Sequence, residues 1–266
     1  FLFSYQISPD FGTDVGFVRR TDERQVMGNV SYLFWPEARV INWGPSVTVS
    51  RNWDFDGLLQ DRSLRTGLNF SLAGNISFGT DVNRSMERFL GTQFDKTGFS
   101  VRGNVNANRA FSFGASVRVG DQILYNTDPV LGHQIAWSAN ASVRPTSNLS
   151  ARLSLSTTQL KVGGVEAFDV KILRATTTYQ LTEKLGFRNI SEFDSLYKKL
   201  DFNLLATYRV DAGTVFFLGY DDHYQQADLI QGDLQGNGIN EQLFFRGNLQ
   251  RTNRAMFVKL QYLLRY

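Results

Sequence analysis

The chain has 266 residues, of which 20% are charged and 14% aromatic, and its formal net charge is +3. The absence of cysteine excludes disulfides and thiolate metal sites, and the absence of any run of 18 apolar residues excludes a transmembrane helix. The small charge, without a Lys- or Arg-rich run, argues against a nucleic-acid partner. Because an all-β chain of this length can be one domain, we expect residues 1–266 to form a single domain.

Short segments in which apolar and polar residues alternate follow one another along the whole chain. A period of two is typical of strands whose two faces meet different environments. The first segment has Phe1, Phe3, Tyr5 and Ile7 on one face and is short, so we expect it to be the end of a strand in an N-terminally truncated chain. Alternating segments are predicted at about 1–7, 25–35, 39–52, 64–72, 76–83, 99–108, 111–119, 134–144, 149–157, 173–180, 185–193, 199–209, 214–226 and 254–266.

The final segment, from Arg254 to Tyr266, shows the alternation over thirteen residues. An alternating strand that ends in an aromatic residue resembles the C-terminal signal by which outer-membrane barrels are recognised for insertion. We therefore expect the barrel-assembly machinery to be a partner of this segment. The predicted insertion signal consists of Val258, Leu260, Tyr262, Leu264 and Tyr266.

The connections between these segments also form a pattern. Short turns near 37, 74, 109, 146, 183 and 212 alternate with longer, more polar loops near 15, 56, 92, 126, 164, 196 and 240. Bacterial outer-membrane barrels have an even number of strands, short periplasmic turns and long outer loops. The prediction is an all-β, transmembrane, antiparallel up-and-down β-barrel of about 14 strands. A soluble β-sandwich is the alternative fold, but its strands are usually shorter.

The polar face of the predicted strands is rich in basic residues. Charges that line a pore set its ion selectivity, so this face could belong to an anion-favouring channel or to a socket for an acidic plug. The alternative is that these side chains simply fill a polar barrel interior by hydrogen bonding. The predicted lumen-lining basic residues are Arg65, Arg102, Arg118, Arg144, Arg152, Arg174, Lys199, Arg209 and Lys259.

Two polar motifs were considered as sites of chemistry or metal binding. Asp221, Asp222 and His223 offer carboxylates and an imidazole, but neighbouring strand residues face opposite sides and no partner base is evident. The stretch 233–244 has part of a calcium-loop spacing, with Phe244 where the last ligand would be. We therefore predict no enzyme activity, no catalytic residue, no metal site and no cofactor.

Four stretches resemble the C-terminal barrel of a family of outer-membrane proteins, domain of unknown function 5916. They are DVGFVRRTDERQ, INWGPSVTVS, TVFFLGYDDHY and NRAMFVKLQYLLRY. The resemblance implies a barrel that follows a carbohydrate-binding module of the family-9 type and has more strands than this chain shows. It implies no established activity, so no catalytic residues carry over.

Together these patterns predict a protein of the bacterial outer membrane. The expected function is a channel or the membrane anchor of a larger outer-membrane assembly. The alternatives are a structural component of a multi-protein complex and an outer-membrane barrel enzyme. The expected partners are outer-membrane lipid and other outer-membrane or periplasmic proteins.

Overall fold

The computed structural model describes residues 1–12, 20–36, 38–226 and 249–263. Fourteen strands run through these residues. None of the described segments is a helix long and apolar enough to cross a membrane. The strands are β1 (Leu2–Ile7), β2 (Glu23–Ser31), β3 (Val40–Trp53), β4 (Leu59–Leu72), β5 (Ile76–Phe89), β6 (Thr92–Val105), β7 (Phe111–Leu124), β8 (Val130–Val143), β9 (Leu149–Val162), β10 (Val165–Gln180), β11 (Leu185–Asp194), β12 (Lys199–Arg209), β13 (Thr214–Gln226) and β14 (Leu249–Tyr262).

All fourteen strands belong to one sheet, in which each strand lies beside the next one along the chain. Neighbouring strands such as β1 and β2, β3 and β4, and β11 and β12 are antiparallel, so the chain runs up and down between two ends of the sheet. The predicted all-β, 14-stranded, antiparallel up-and-down fold is confirmed. We call the end where β1 begins end A and the end where β1 finishes end B.

The chain divides into two compact units. Unit 1 contains Phe1–Val105, Ala115–Trp137 and Gln159–Phe168. Unit 2 contains Asn106–Gly114, Ser138–Thr158 and Asp169–Tyr266.

Most strands are longer than the alternation predicts, and the extra residues lie at end B. Strands β5 and β6 are each 14 residues long and are joined by Leu90 and Gly91 alone. Positive φ angles of 48° and 80° give this connection the backbone of a two-residue hairpin turn. Gly163 and Gly164, with φ of 58° and 85°, join β9 to β10 in the same way. The predicted longer loops near 92 and 164 are therefore wrong, because the strands continue up to a tight turn.

At end A, Asp211 fixes the turn between β12 and β13. Its Oδ1 accepts hydrogen bonds from the backbone N–H groups of Gly213 and Thr214, each at 2.8 Å. These donors stabilise the charged carboxylate, the Gly213 bond most strongly, and hold the pKa of Asp211 below its usual range. The side chain thus takes the place of a backbone acceptor and reverses the chain.

The two faces of the sheet differ in composition, as the alternation predicts. In unit 1, Val49 pairs with Leu64 on an apolar face, whereas Ser50 pairs with Ser63 on a polar face. Strand β1 is the exception, because Phe3, Tyr5 and Ile7 pair with Met27, Gln25 and Glu23 on the polar face. The apolar side chains of β1 therefore lie on the polar face of the sheet. Tyr5 donates a 2.8 Å hydrogen bond from its hydroxyl to Glu23 on that face.

The apolar face of unit 1 carries an aromatic row at end A and aliphatic residues further along the strands. Phe34 stacks on Trp43 with ring centroids 4.4 Å apart, and Trp43 stacks on Phe70 at 6.2 Å. Tyr32 and Phe78 extend the row on either side. The aliphatic residues of the same face, all more than a third exposed, are Val47, Val49, Leu64, Leu68 and Val82.

Unit 2 repeats this order on its own apolar face. Near end A, Tyr208 pairs with Phe216, and both side chains are exposed. Further along the strands, Leu218 pairs with Val258, which is 75% exposed. Exposed aromatic residues at one end and exposed aliphatic residues beyond them thus form the same sequence of bands in both units.

Candidate anion-binding cleft

Four arginines line a cleft of about 720 Å³ on the polar face of unit 2, formed by strands β8 to β11. We call it the arginine cleft and define it by Arg144, Arg152, Arg174 and Arg188. Serine and threonine hydroxyls supply most of the remaining lining. Among the described lining residues there is no carboxylate. Guanidinium groups with hydroxyls between them form a lining suited to anions.

Strand register brings these arginines together. In the antiparallel pair β10 and β11, Thr178 is opposite Arg188 and Arg174 is opposite Glu192, all on one face. Arg152 lies on β9. Arg144 follows the last residue of β8, and its backbone N–H donates a 2.7 Å hydrogen bond to the carbonyl oxygen of Ala110. The cleft thus lies toward end A.

Positive charge in the cleft is only partly neutralised. Arg174 Nη1 lies 3.6 Å from the carboxylate of Glu192, and Arg152 Nε donates a 3.2 Å hydrogen bond to the hydroxyl of Ser142. The guanidinium groups of Arg144 and Arg188 have no hydrogen-bond or ion-pair partner among the described residues. Four guanidinium groups against one carboxylate leave a net charge of +3.

Sequence analysis identified three of these four arginines and missed Arg188. Strand β11 is the least regular in the chain, because polar and apolar residues occur on both of its faces. The short connection at 181–184 fixes which residues of β10 and β11 are opposite each other. Pairing residues outward from this turn would have placed Arg188 opposite Thr178.

Two further predicted residues, Arg65 and Arg102, lie together on the polar face of unit 1. Their guanidinium groups are 3.8 and 3.0 Å from the carboxylate of Asp81. Arg102 also donates a 2.7 Å hydrogen bond to Asn69, and Ser100 donates to Asp81 at 2.8 Å. This network neutralises its central carboxylate and supports the interpretation that some of the basic residues fill the polar face.

The remaining four predicted basic residues do not line the arginine cleft. Lys199 lies over the ring of Tyr197 at 5.3 Å. Lys259 lies over the ring of Phe217 at 5.8 Å. Arg118 is exposed on β7, and Arg209 is the last residue of β12. The structure therefore divides the nine predicted residues into one cleft, one carboxylate network and four separate positions.

A second polar cavity, of about 600 Å³, lies in unit 1 toward end B. Asn52, which is buried, donates hydrogen bonds to Glu23 at 2.9 Å and to Asp61 at 3.1 Å. Arg20 forms a 2.6 Å ion pair with Asp61, and Glu87 is paired with Lys96. We call these six residues the end-B network. Sequence analysis missed it because its members come from five separate segments.

His223 is held between two carboxylates on the polar face of unit 2. Its Nδ1 lies 2.5 Å from Asp201 Oδ1, and its Nε2 lies 2.8 Å from Asp221 Oδ2. A ring with both nitrogens engaged by carboxylates donates from both, so neither nitrogen is available as a base. No group of three acidic or histidine side chains in the described ranges is arranged to hold a metal.

Asp222 faces the opposite, apolar side of β13, as predicted from alternation. It is buried, and its Oδ2 accepts hydrogen bonds from the hydroxyls of Tyr220 at 2.6 Å and Tyr224 at 2.9 Å. Arg251 and Arg254 on β14 form ion pairs with it at 2.9 and 3.4 Å. We call these five residues the Asp222 cluster.

The predicted insertion signal lies partly within the described residues. Val258, Leu260 and Tyr262 are opposite Leu218, Phe216 and Thr214, so they share the apolar face and are exposed there. Leu264 and Tyr266 lie outside the described residues, as does the stretch 233–244. The role of the segment in insertion stays a prediction.

No protein-family model matches the chain, and no curated protein matches it either. Among solved structures, the one described as "NanC porin structure in rhombohedral crystal form" is similar. The two chains are 10% identical, and the match covers 91% of this chain and 94% of that one with a TM-score of 0.29. A similarity this weak says nothing of the function.

Proposed function

We propose that this chain is an outer-membrane β-barrel protein that passes small anions through its interior. The observation that carries the proposal is the division of its long strands into two faces, one of them exposed and apolar and the other polar with an arginine cleft. The resemblance to the outer-membrane family named above remains a proposal, supported by its four sequence motifs.

The apolar face supports a membrane location. A soluble monomer rarely exposes a broad apolar surface, whereas the lipid-facing side of a membrane barrel is an apolar band. The aromatic row that includes Trp43 and Phe70 suits the boundary between lipid and water, where aromatic rings are enriched. The strands reach 14 residues, and a strand of about 9–11 residues tilted at about 45° is enough to cross a bilayer.

Closure into a barrel is the physical consequence of that location. Hydrocarbon offers no hydrogen-bond partner to an open sheet edge, so a membrane-spanning sheet must leave none. Each strand from β1 to β14 pairs with the next one along the chain, and this is the strand order of up-and-down barrels. The polar face then lines the interior.

The arginine cleft supports selectivity for anions. Arg144 and Arg188 offer guanidinium groups that no described residue neutralises, and the hydroxyls around them can replace part of a hydration shell. Small anions should therefore be concentrated at this position relative to cations.

Planar-bilayer recording tests this proposal. The full chain is reconstituted, and the reversal potential is measured across a tenfold KCl gradient. A conducting protein whose reversal potential favours chloride supports it. Conductance that favours potassium would contradict it.

A second candidate function is a membrane anchor or structural component of a larger assembly. The end-B network favours it, because ion pairs such as Arg20 with Asp61 connect side chains across the polar face of unit 1. An anchor of this kind inserts and folds but conducts no ions, so the same recording separates the two candidates. Neither candidate calls for a catalytic residue.

A further inference from the structure

A groove of about 580 Å³ lies toward end B of unit 1, and its lining joins residues of the apolar face to Ser63, Ser85 and Lys96 of the polar face. We propose that it binds the phosphate-bearing headgroup of a glycolipid in the outer leaflet of the membrane. The inference rests on the proposed function and requires these strands to cross a membrane with end B on the outer side. The two longest connections, 8–22 and 227–248, both join strands at end B, and long loops are typical of the outer side of such barrels.

Three arginines line the groove. Arg51 is opposite Arg62 on the apolar face of β3 and β4, and Arg84 is opposite Leu64 on β4 and β5. All three side chains are exposed. Arg62 lies 3.6 Å from the carboxylate of Asp95, whereas Arg51 and Arg84 have no hydrogen-bond or ion-pair partner within the described ranges.

These arginines lie on the same face as the exposed aliphatic residues Val47, Val49, Leu64, Leu68 and Val82 of unit 1. A cation facing hydrocarbon is unfavourable, so these residues need either water or an anion beside them. The three guanidinium groups and the carboxylate of Asp95 leave a net charge of +2, and Lys96, which also lines the groove, is paired with Glu87 outside it. An anionic partner of compact charge therefore fits better than a zwitterionic one.

The depth of the arginines matches a lipid headgroup. Phe70, in the aromatic row, and Arg62 share the apolar face of β4 and are eight residues apart, which is about 27 Å along an extended strand. With a tilt of about 45°, the separation along the membrane normal is about 19 Å. The apolar band of an outer-membrane barrel is about 25 Å tall. If the aromatic row marks one interface, the backbone of Arg62 lies about 6 Å short of the other, a distance that an extended arginine side chain can span.

The lining matches the chemistry of a phosphorylated glycolipid. Guanidinium groups bind phosphate through paired hydrogen bonds. Val49 and Leu64 line the same groove below the arginines, where acyl chains would run along the strands. A headgroup with phosphate and attached acyl chains contacts both parts at once, which free phosphate cannot.

Binding of lipid A tests the proposal. The full chain in dodecyl maltoside is titrated with diphosphorylated lipid A and with dephosphorylated lipid A, and native mass spectrometry counts the bound lipids. The variant R51Q/R62Q/R84Q is compared with R118Q/R209Q/K259Q, which removes the same charge from polar-face positions that line neither the groove nor the arginine cleft. Insertion into phosphatidylcholine vesicles is measured in parallel by protease protection.

The expected result is that wild type and R118Q/R209Q/K259Q bind the phosphorylated lipid alike. R51Q/R62Q/R84Q should bind it about tenfold more weakly or worse, and dephosphorylated lipid should bind all three proteins weakly. If the triple variant fails to fold, R51Q and R84Q are measured singly, each with an expected loss of about threefold.

Four results would overturn the proposal. Equal lipid binding by wild type and R51Q/R62Q/R84Q in a protein that inserts would refute the lipid site and leave the barrel proposal standing. Full competition by millimolar inorganic phosphate would assign the groove to a free anion. A dimer that R51Q/R62Q/R84Q abolishes would assign the groove to a second copy of the chain. Failure of the wild type to insert would refute the barrel and the lipid site together.

Discussion

Arg251 Nε lies 2.9 Å from Asp222 Oδ1 on the apolar face of β13 and β14. A buried carboxylate on a face of exposed apolar residues is stable only if cations and hydroxyls surround it, as the Asp222 cluster does. The cluster lies toward end B of unit 2. Like the three arginines of the groove in unit 1, it is found where the strands approach end B and the aliphatic band has ended.

Replacing Asp222 by Asn should lower the thermal stability of the folded protein. The change removes the charge that holds Arg251 and Arg254 and leaves both guanidinium groups beside an apolar face. The midpoint of the heat-induced shift in gel mobility measures the effect. Tyr224→Phe, which removes one hydroxyl donor, should have a smaller effect, and an unchanged midpoint for Asp222→Asn would contradict the role of this carboxylate.

Replacing Arg188 by Gln should reduce chloride selectivity. Arg188 has no described partner, so its removal takes away free positive charge from the arginine cleft without exposing a carboxylate. The reversal potential in a KCl gradient should move toward zero. Arg118→Gln is the matched control, since Arg118 is exposed on β7 and does not line the cleft. Equal shifts from both variants would show that the cleft has no special part in selectivity.

Replacing His223 by Gln should destabilise the fold by about 1 kcal/mol, because Asp201 and Asp221 would lose the imidazole that bridges them. Urea denaturation in detergent gives the difference in the free energy of unfolding. His133, the other histidine of the chain, is exposed on β8, and His133→Gln should leave the stability unchanged. Loss of stability in both variants would argue against a specific role for the carboxylates.

The turn at Asp211 should contribute stability that depends on pH. Backbone donors lower the pKa of Asp211 in the folded protein, so its contribution is complete above the unfolded pKa of about 4 and is lost as the pH falls through the lower, folded value. Asp211→Ala should destabilise the protein at pH 7 more than Asp211→Asn, since Asn keeps an acceptor oxygen. A difference from wild type that is the same at pH 7 and pH 2 would contradict this assignment.

Alternation alone predicted the strands and most of their faces, because period two follows directly from strand geometry. It failed at β1, where Phe3, Tyr5 and Ile7 lie on the polar face, since the face of a short strand is set by its pairing with β2. The predicted longer loops failed for a related reason. Strand ends beyond the apolar band are polar on both faces, so Arg84 and Asp95 were read as loop residues.

The candidate sites were harder to predict than the fold. Arg144, Arg152 and Arg174 were identified individually, but their convergence depends on register between strands, which alternation alone does not specify. Arg188 and the groove arginines were missed because each lies on a strand segment whose alternation is irregular or has ended. Register from the tight turns would have recovered Arg188, since Gln180 is opposite Gly186 across the connection at 181–184.

Labelling of single cysteines in β4 tests the central claim most directly, and the absence of native cysteine makes it free of background. Spin labels are attached to Leu64→Cys, Leu68→Cys, Ser63→Cys and Asn69→Cys in protein reconstituted in lipid vesicles. A membrane barrel predicts high oxygen accessibility at Leu64 and Leu68 and high accessibility to a water-soluble nickel complex at Ser63 and Asn69. Accessibility to nickel at all four positions, or the reverse alternation, would contradict a membrane-spanning strand whose apolar face meets lipid.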